Sequence, residues 1–215
     1  MSLDVHHAAL AGFDLQAASA AAGPTPEPTE KAAWRSEADA RWRARPAPQR
    51  RAHAVALANA GVRLAEAVGA RRVGLYSPLG AEVETRDLAF ALLSAGLTLA
   101  YPRLSPDGTT MEFAACASPG ELKPRPRSRL LEPVGVRVEP DAVDLVVVPC
   151  VLVRPDGVRL GRGGGHYDRW LARLPDATVR LGVAAAACVV DWGPVAPHDG
   201  RMDLVCTEAG LVRSK

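Results

Sequence analysis

The chain has 215 residues, with 26 Lys and Arg against 24 Asp and Glu, a net charge of +2 and 48% hydrophobic residues. That length supports one domain with a substantial core, and so even a charge balance gives no nucleic-acid or membrane footprint. The cysteines, Cys116, Cys150, Cys188 and Cys206, form no C-x-x-C pair. Together with the absence of a spanning-length apolar run (~20 residues) and of a basic N-terminal leader, this argues against a zinc or disulfide framework and for a cytoplasmic protein with reduced thiols.

Residues 1–28 are alanine-rich and end in G-P-T-P-E-P-T. They read as a mobile N-terminal extension with at most a short helix near Leu10 to Ala20, ahead of a single domain over 29–215. From Glu30 the pattern turns helical, with Trp34, Ala38 and Trp42 on one stripe, until Pro46 and Pro48 break it. A second helix is predicted from about Gln49 to Val68, with Val55, Leu57, Val62 and Leu64 as its apolar positions. R-R-V-G-L-Y-S-P reads as a buried strand closing at Pro78, and Glu82 to Gly96 as a helix stopped by its glycine. L-T-L-A-Y-P and M-E-F-A-A-C are further strands, and a proline- and arginine-rich loop spans about 118–140. D-L-V-V-V-P-C-V-L-V is the strongest apolar run; the turn R-P-D-G-V, a glycine cluster and the helix Y-D-R-W-L-A-R-L follow it. T-V-R-L-G-V-A-A-A-A-C-V-V and R-M-D-L-V-C-T close the series as strands.

Strands alternate with helices, and the strands are apolar throughout. This predicts a mostly parallel sheet covered on both faces: a single three-layer α/β/α domain.

The chemistry concentrates in R-L-G-R-G-G-G-H-Y-D, Arg159 to Asp168. A glycine-rich turn between a strand and a helix start lets backbone N–H groups approach an anion, and Arg159 and Arg162 add forked donors suited to phosphate oxygens. The stretch fits neither the Walker A pattern, which ends in G-K-[ST], nor the dinucleotide fingerprint. By itself it is either an anion cradle or an ordinary turn. Asp168 is equally double: an acid at the positive end of a helix dipole, or a carboxylate for Mg²⁺ beside phosphates.

Four blocks in register decide the matter. These are K-A-A-W-R (Lys31 to Arg35), Y-S-P-L-G-A-E-V-E-T (Tyr76 to Thr85), the strand, turn and glycine loop through Asp168-Arg169, and P-H-D-G-R-M-D-L-V-C-T-E (Pro197 to Glu208). Over about 29–209 the chain resembles the 5-formyltetrahydrofolate cyclo-ligase (5,10-methenyltetrahydrofolate synthetase) family. The resemblance implies an α/β/α fold and conversion of 5-formyltetrahydrofolate with ATP and Mg²⁺ into 5,10-methenyltetrahydrofolate, ADP and phosphate, through a phosphorylated formyl oxygen. It implies ATP contacts from Lys31, Arg35, Arg159, Leu160, Gly161, Arg162, Gly163, Gly164, Gly165, His166 and Tyr167, with Arg162 and Tyr167 catalytic. It implies folate contacts from Ser77, Glu82, Gly164 and His166, and Mg²⁺ on Asp168 and Asp199. Met111 and Phe113 read as core by default, with an apolar wall of the folate pocket as the alternative. A monomer without nucleic-acid or membrane partners is expected. The chain departs from the pattern at His166, where tyrosine is usual, at Cys150 in place of glycine, and at Val153-Arg154 in place of Phe-Asp.

Overall fold

The computed structural model describes residues 13, 15–17, 30–80, 82–191, 195–196 and 199–214. Helix α1, Lys31–Ala44, buries Trp34, Ala38 and Trp42, the predicted stripe. The Trp42 indole donates to the Val151 carbonyl at 3.2 Å, which ties the helix to the loop behind the apolar run. Helix α2, Ala47–Ala67, starts at prolines, where a missing N–H costs nothing. Its buried face is His53, Ala54, Leu57, Ala58, Gly61, Leu64 and Ala65. Val55, expected inward, is 40% exposed, because Ala54 and Leu57 already define the helix face that meets the sheet.

Strand β2 (Arg72–Gly74) leads through a loop to helix α3, Arg86–Ser94, four residues shorter at its start than predicted. The reason lies in the loop itself. Thr85 Oγ1 donates to the Tyr76 carbonyl at 2.8 Å, and Tyr76 Oη donates to the Val83 carbonyl at 2.9 Å, which closes the loop on itself and keeps Glu82 to Thr85 out of the helix. Gly61 lets α3 approach α2: an ideal Cβ there would lie 2.7 Å from Leu88 Cδ1.

The main sheet has nine strands in the order β1-β13-β12-β11-β8-β2-β3-β4-β7. Here β1 is Gln16–Ala17, β3 Thr98–Leu104, β4 Met111–Cys116, β7 Arg137–Val138, β8 Leu145–Pro149, β11 Val179–Val183, β12 Leu204–Thr207 and β13 Gly210–Arg213. The run β12-β11-β8-β2-β3 is parallel, and β4, β7 and β13 pair antiparallel at the flanks. Leu145, Val146, Val147 and Val148 are all fully buried, as a strand covered on both faces requires. Strands β1, β7 and β13 were not read from the sequence, nor were β5 (Lys123–Pro124) and β6 (Leu131–Glu132). Strand β13 pairs with β1 in parallel register, so Gln16–Ala17 is extended rather than helical. A small hairpin of β5 and β6 stands inside the predicted loop.

The chain passes from β2 through α3 to β3 in one direction across the sheet. It passes from β8 through helix α4 (His166–Leu171) to β11 in the other. Right-handed crossovers of opposite sense place α3 and α4 on opposite faces. On the α4 face, Trp170 stacks on Phe113 of β4 at 4.1 Å. The winding therefore reverses between β2 and β8, and a crevice opens beyond their carboxyl ends, where doubly wound sheets bind ligands. Among the described residues no helix is long and apolar enough to cross a membrane.

Candidate active site

The crevice is built from the segments that leave β2 and β8. Beyond β8 the chain forms a hairpin of β9 (Leu152–Val153) and β10 (Arg159–Leu160), turned by Gly157 at φ +84°. The hairpin delivers Arg159 into the interior, where it is only 3% exposed. Its Nη2 donates to Asp168 Oδ1 at 2.8 Å and its Nη1 to the Pro149 carbonyl at 3.3 Å, and its guanidinium stands 5.4 Å from the centre of the Tyr167 ring. The Gly200 N–H also reaches Asp168 Oδ1, at 3.4 Å. A buried guanidinium demands such a counter-charge, so the motif's first arginine and last aspartate are partners before any ligand arrives.

Between them the glycines bend the chain back. Gly163 has φ +103° and Gly165 φ +65°, conformations that disfavour side chains. Arg35 Nε on α1 donates to the Gly161 carbonyl at 2.8 Å and fixes the loop from outside.

The loop is a wall common to two compartments. On one side a pocket of about 430 Å³ is lined by Lys31, Arg35, Arg169, Asp168 and Asp199 together with Leu160, Gly161, Gly163 and Gly165. Lys31 Nζ lies 2.7 Å from both Asp199 oxygens, and the Ala196 N–H donates to Asp199 Oδ2 at 2.7 Å. Among the described residues no cluster of three or more His, Cys, Asp and Glu side chains forms a ready metal cage. Two carboxylates on one wall instead fit a hard cation that brings phosphate oxygens and water with it.

On the other side lies a cavity of about 220 Å³, walled by Leu104, Met111, Leu130 and Leu131 and edged by Ser77, Glu82, His166 and Tyr167. Glu82 accepts from the Leu79 N–H at 2.9 Å and from Arg162 Nε at 2.8 Å, and Arg162 Nη2 donates to the Leu79 carbonyl at 3.1 Å. The Tyr167 hydroxyl is buried without a hydrogen-bond partner, and so is Arg159 Nε. Unsatisfied buried donors at a cavity wall are what a ligand site supplies in advance. Burial, then the Glu82 charge, pushes the Tyr167 phenol far up, so it stays a donor. Burial, then Arg169, lowers the pKa of His166. Burial pushes the Cys150 thiol up to about 11, leaving it an inert packing residue.

The predicted site residues thus gather at one crevice but divide between its two sides. Lys31, Arg35, Leu160 and Asp199 face only the charged pocket. Gly161, Gly163, Gly165 and Asp168 face both. Arg159, Arg162 and Tyr167, expected at ATP, and Gly164 and His166, expected at both ATP and folate, line the apolar cavity with Ser77 and Glu82. Met111 lines that cavity, whereas Phe113 is core. His198 of the C-terminal block lies outside the described residues, as does most of the N-terminal extension. Sequence reasoning passed over Arg169, which follows Asp168 and lines the charged pocket, and Leu104, Leu130 and Leu131 of the apolar wall. An arginine in the first turn after a phosphate-type loop was a readable signal; the leucines carried none.

The model of the 5-formyltetrahydrofolate cyclo-ligase family matches residues 27–208. The chain belongs to this family. The curated cyclo-ligase of Mycolicibacterium smegmatis is 28% identical over 155 residues, 67% of this chain and 78% of the relative. That of Mus musculus is 26% identical over 187 residues, 81% of this chain and 91% of the relative. The solution structure of Aquifex aeolicus 5,10-methenyltetrahydrofolate synthetase superposes with a TM-score of 0.74 at 28% identity, covering 86% of this chain and 93% of that one. The Mycoplasma pneumoniae synthetase superposes with a TM-score of 0.68 at 22% identity, which speaks for the fold. The protein is accordingly an enzyme of the cyclo-ligase family with that family's α/β architecture.

Proposed function

We propose that the protein converts 5-formyltetrahydrofolate to 5,10-methenyltetrahydrofolate with consumption of Mg-ATP, releasing ADP and phosphate. The observation that carries this reading is the glycine loop as a shared wall, with a charged pocket on one side and an apolar, carboxylate-edged cavity on the other. A reaction that passes a phosphoryl group from a nucleotide to a flat, apolar acceptor needs that partition: charge where the phosphates lie, hydrocarbon where the ring lies, and a thin wall of backbone between them.

In this reading Lys31, Arg35 and the loop N–H groups hold the phosphates, and the pterin enters the cavity with its N–H groups on Glu82. The formyl oxygen attacks the γ-phosphorus and ADP leaves. N10 then attacks the formyl carbon and loses its proton, the carbon–oxygen bond breaks, and phosphate departs carrying that proton as the ring closes. Tyr167 donates its unspent O–H toward the reacting oxygen, and Arg162 neutralises charge on the transferring group once the substrate claims Glu82. Asp168 and Asp199 would hold Mg²⁺, which supplies charge neutralisation at the phosphates when bound.

The test mixes the protein with 5-formyltetrahydrofolate and Mg-ATP and follows the near-ultraviolet absorbance of the methenyl product. Product that requires protein, nucleotide and Mg²⁺ together is expected; a complete mixture that forms none sinks the reading.

A further inference from the structure

Arg169 binds through one nitrogen. Its Nη2 lies 3.1 Å from each of three acceptors: the Thr109 carbonyl on the turn between β3 and β4, the Gly164 carbonyl on the glycine loop, and His166 Nδ1. A guanidinium carries hydrogens and no acceptor lone pair. Nη2 carries two hydrogens, so the three acceptors share them, and a proton on His166 Nδ1 would set N–H against N–H at that distance; Nδ1 therefore stands as an acceptor. The ring's single proton then sits on Nε2. That atom has no hydrogen bond among the described residues, and His166 lines the apolar cavity. The ring edge that carries Nε2 lies over Gly164, where an ideal Cβ would come within 2.9 Å of His166 Cδ2 and 3.2 Å of Nε2. Only a glycine at 164 leaves room for the ring in this pose.

The protein contains an internal comparison. His53 receives Arg45 Nη2 on Nδ1 at 3.0 Å, and its Nε2 donates to the Cys206 carbonyl at 3.2 Å. The same arginine-to-Nδ1 contact therefore recurs. In His53 the resulting Nε2–H is used within the core, whereas in His166 it remains unspent at the cavity.

We infer that Arg169 is a positioning residue: it holds His166 in the Nε2–H tautomer and so provides the cavity with a neutral N–H donor for a carbonyl or ring-nitrogen acceptor of the folate. The donor's use by folate rests on the proposed function; the tautomer does not.

Long-range ¹H–¹⁵N spectra of the full-length protein at neutral pH read the tautomer directly, with the His166→Gln variant assigning the signal among the five histidines. The proton is expected on Nε2, and Arg169→Met is expected to give a mixture of tautomers. In kinetics, His166→Phe raises KM for 5-formyltetrahydrofolate by about tenfold, the scale of one neutral hydrogen bond. His166→Gln, whose amide N–H can stand near the Nε2 position, stays within about threefold of wild type on the same scale. Arg169→Met raises the folate KM as His166→Phe does, and the double variant is no worse for folate than His166→Phe alone. A proton on Nδ1, a doubly protonated ring, or additive effects in the double variant would overturn the proposal. If wild-type protein forms no methenyl product, the functional reading falls, and the spectrum still decides the tautomer.

Discussion

Asp168 meets two demands with one carboxylate. Its Oδ1 neutralises Arg159, which is 3% exposed, while the residue also lines the charged pocket. The two roles separate by substitution. Asparagine keeps an oxygen for Arg159 Nη2 and loses the charge a cation needs. Asp168→Asn is therefore expected to lower turnover by at least about a hundredfold while costing only about 1–2 kcal/mol of stability. Asp168→Ala leaves the buried guanidinium uncompensated, and its loss of stability should reach about 3–5 kcal/mol. Steady-state rates and urea unfolding of the two variants check this. Normal turnover in the Asn variant would make Asp168 a structural acid alone. Glu82 gives the complementary case. Its partner Arg162 is 45% exposed at the side chain, so the pair adds little to stability. Glu82→Gln should leave unfolding nearly unchanged yet raise the folate KM by roughly tenfold to a hundredfold, with the ATP KM held, because a charged acceptor for ring N–H groups has become a neutral one. Equal rises in both constants would contradict the assignment of Glu82 to the folate side.

At the scale of elements, the β9–β10 hairpin does the positioning, and Gly157 makes its turn. Its φ is +84°, and a Cβ there would overlap the Met202 carbonyl oxygen. Gly157→Ala should cost about 2–4 kcal/mol, combining backbone strain with a backbone clash that no rotamer relieves. Because Arg159 rides on this hairpin, activity should fall with stability, and urea unfolding set beside turnover measures both. An alanine variant as stable as wild type would remove the hairpin from the account. The same element marks what could be read in advance. R-P-D-G announced the turn, and the Trp34, Ala38 and Trp42 stripe announced α1, because turn chemistry and helical periodicity are local. Strand β13 and the 123–132 hairpin escaped, since strands of two to four residues are too short to show an alternation and gain their identity from the strands they pair with. The site followed the same rule. The motif blocks named its charged residues. The division of the loop between two compartments, and the choice of Arg162 to sit by Glu82 on the cavity side, depend on how α1 and the β2 loop meet across the sheet.

The whole molecule is also joined by a buried polar cluster between α2, the end of α1 and β12. His53 is fully buried there, contacted by Arg45 and Cys206 and lying 3.6 Å from Glu208, with Trp42 stacked beside it at 6.4 Å. Burial foremost, with the Arg45 charge assisting, lowers its pKa from 6.5 to about 4. The consequence for stability has a definite sign. Above pH 6.5 the imidazole is neutral in both folded and unfolded chains and contributes no pH dependence. Below it the unfolded chain takes up a proton that the folded chain refuses until about pH 4, so stability falls across that window as pH drops. The full loss from this one group is at most about 3 kcal/mol. Asp107 and Asp156, whose folded pKa values are lowered below the usual 3.8, take stability away only at more acid pH still, as they protonate in the folded chain. Urea unfolding between pH 7 and 4 should therefore show a slope that His53→Gln flattens, since glutamine can keep a contact to the Cys206 carbonyl without binding a proton. A wild-type curve that is level through this range, or a variant that retains the slope, would mean that the cluster accepts the proton in the folded state, with Glu208 compensating it.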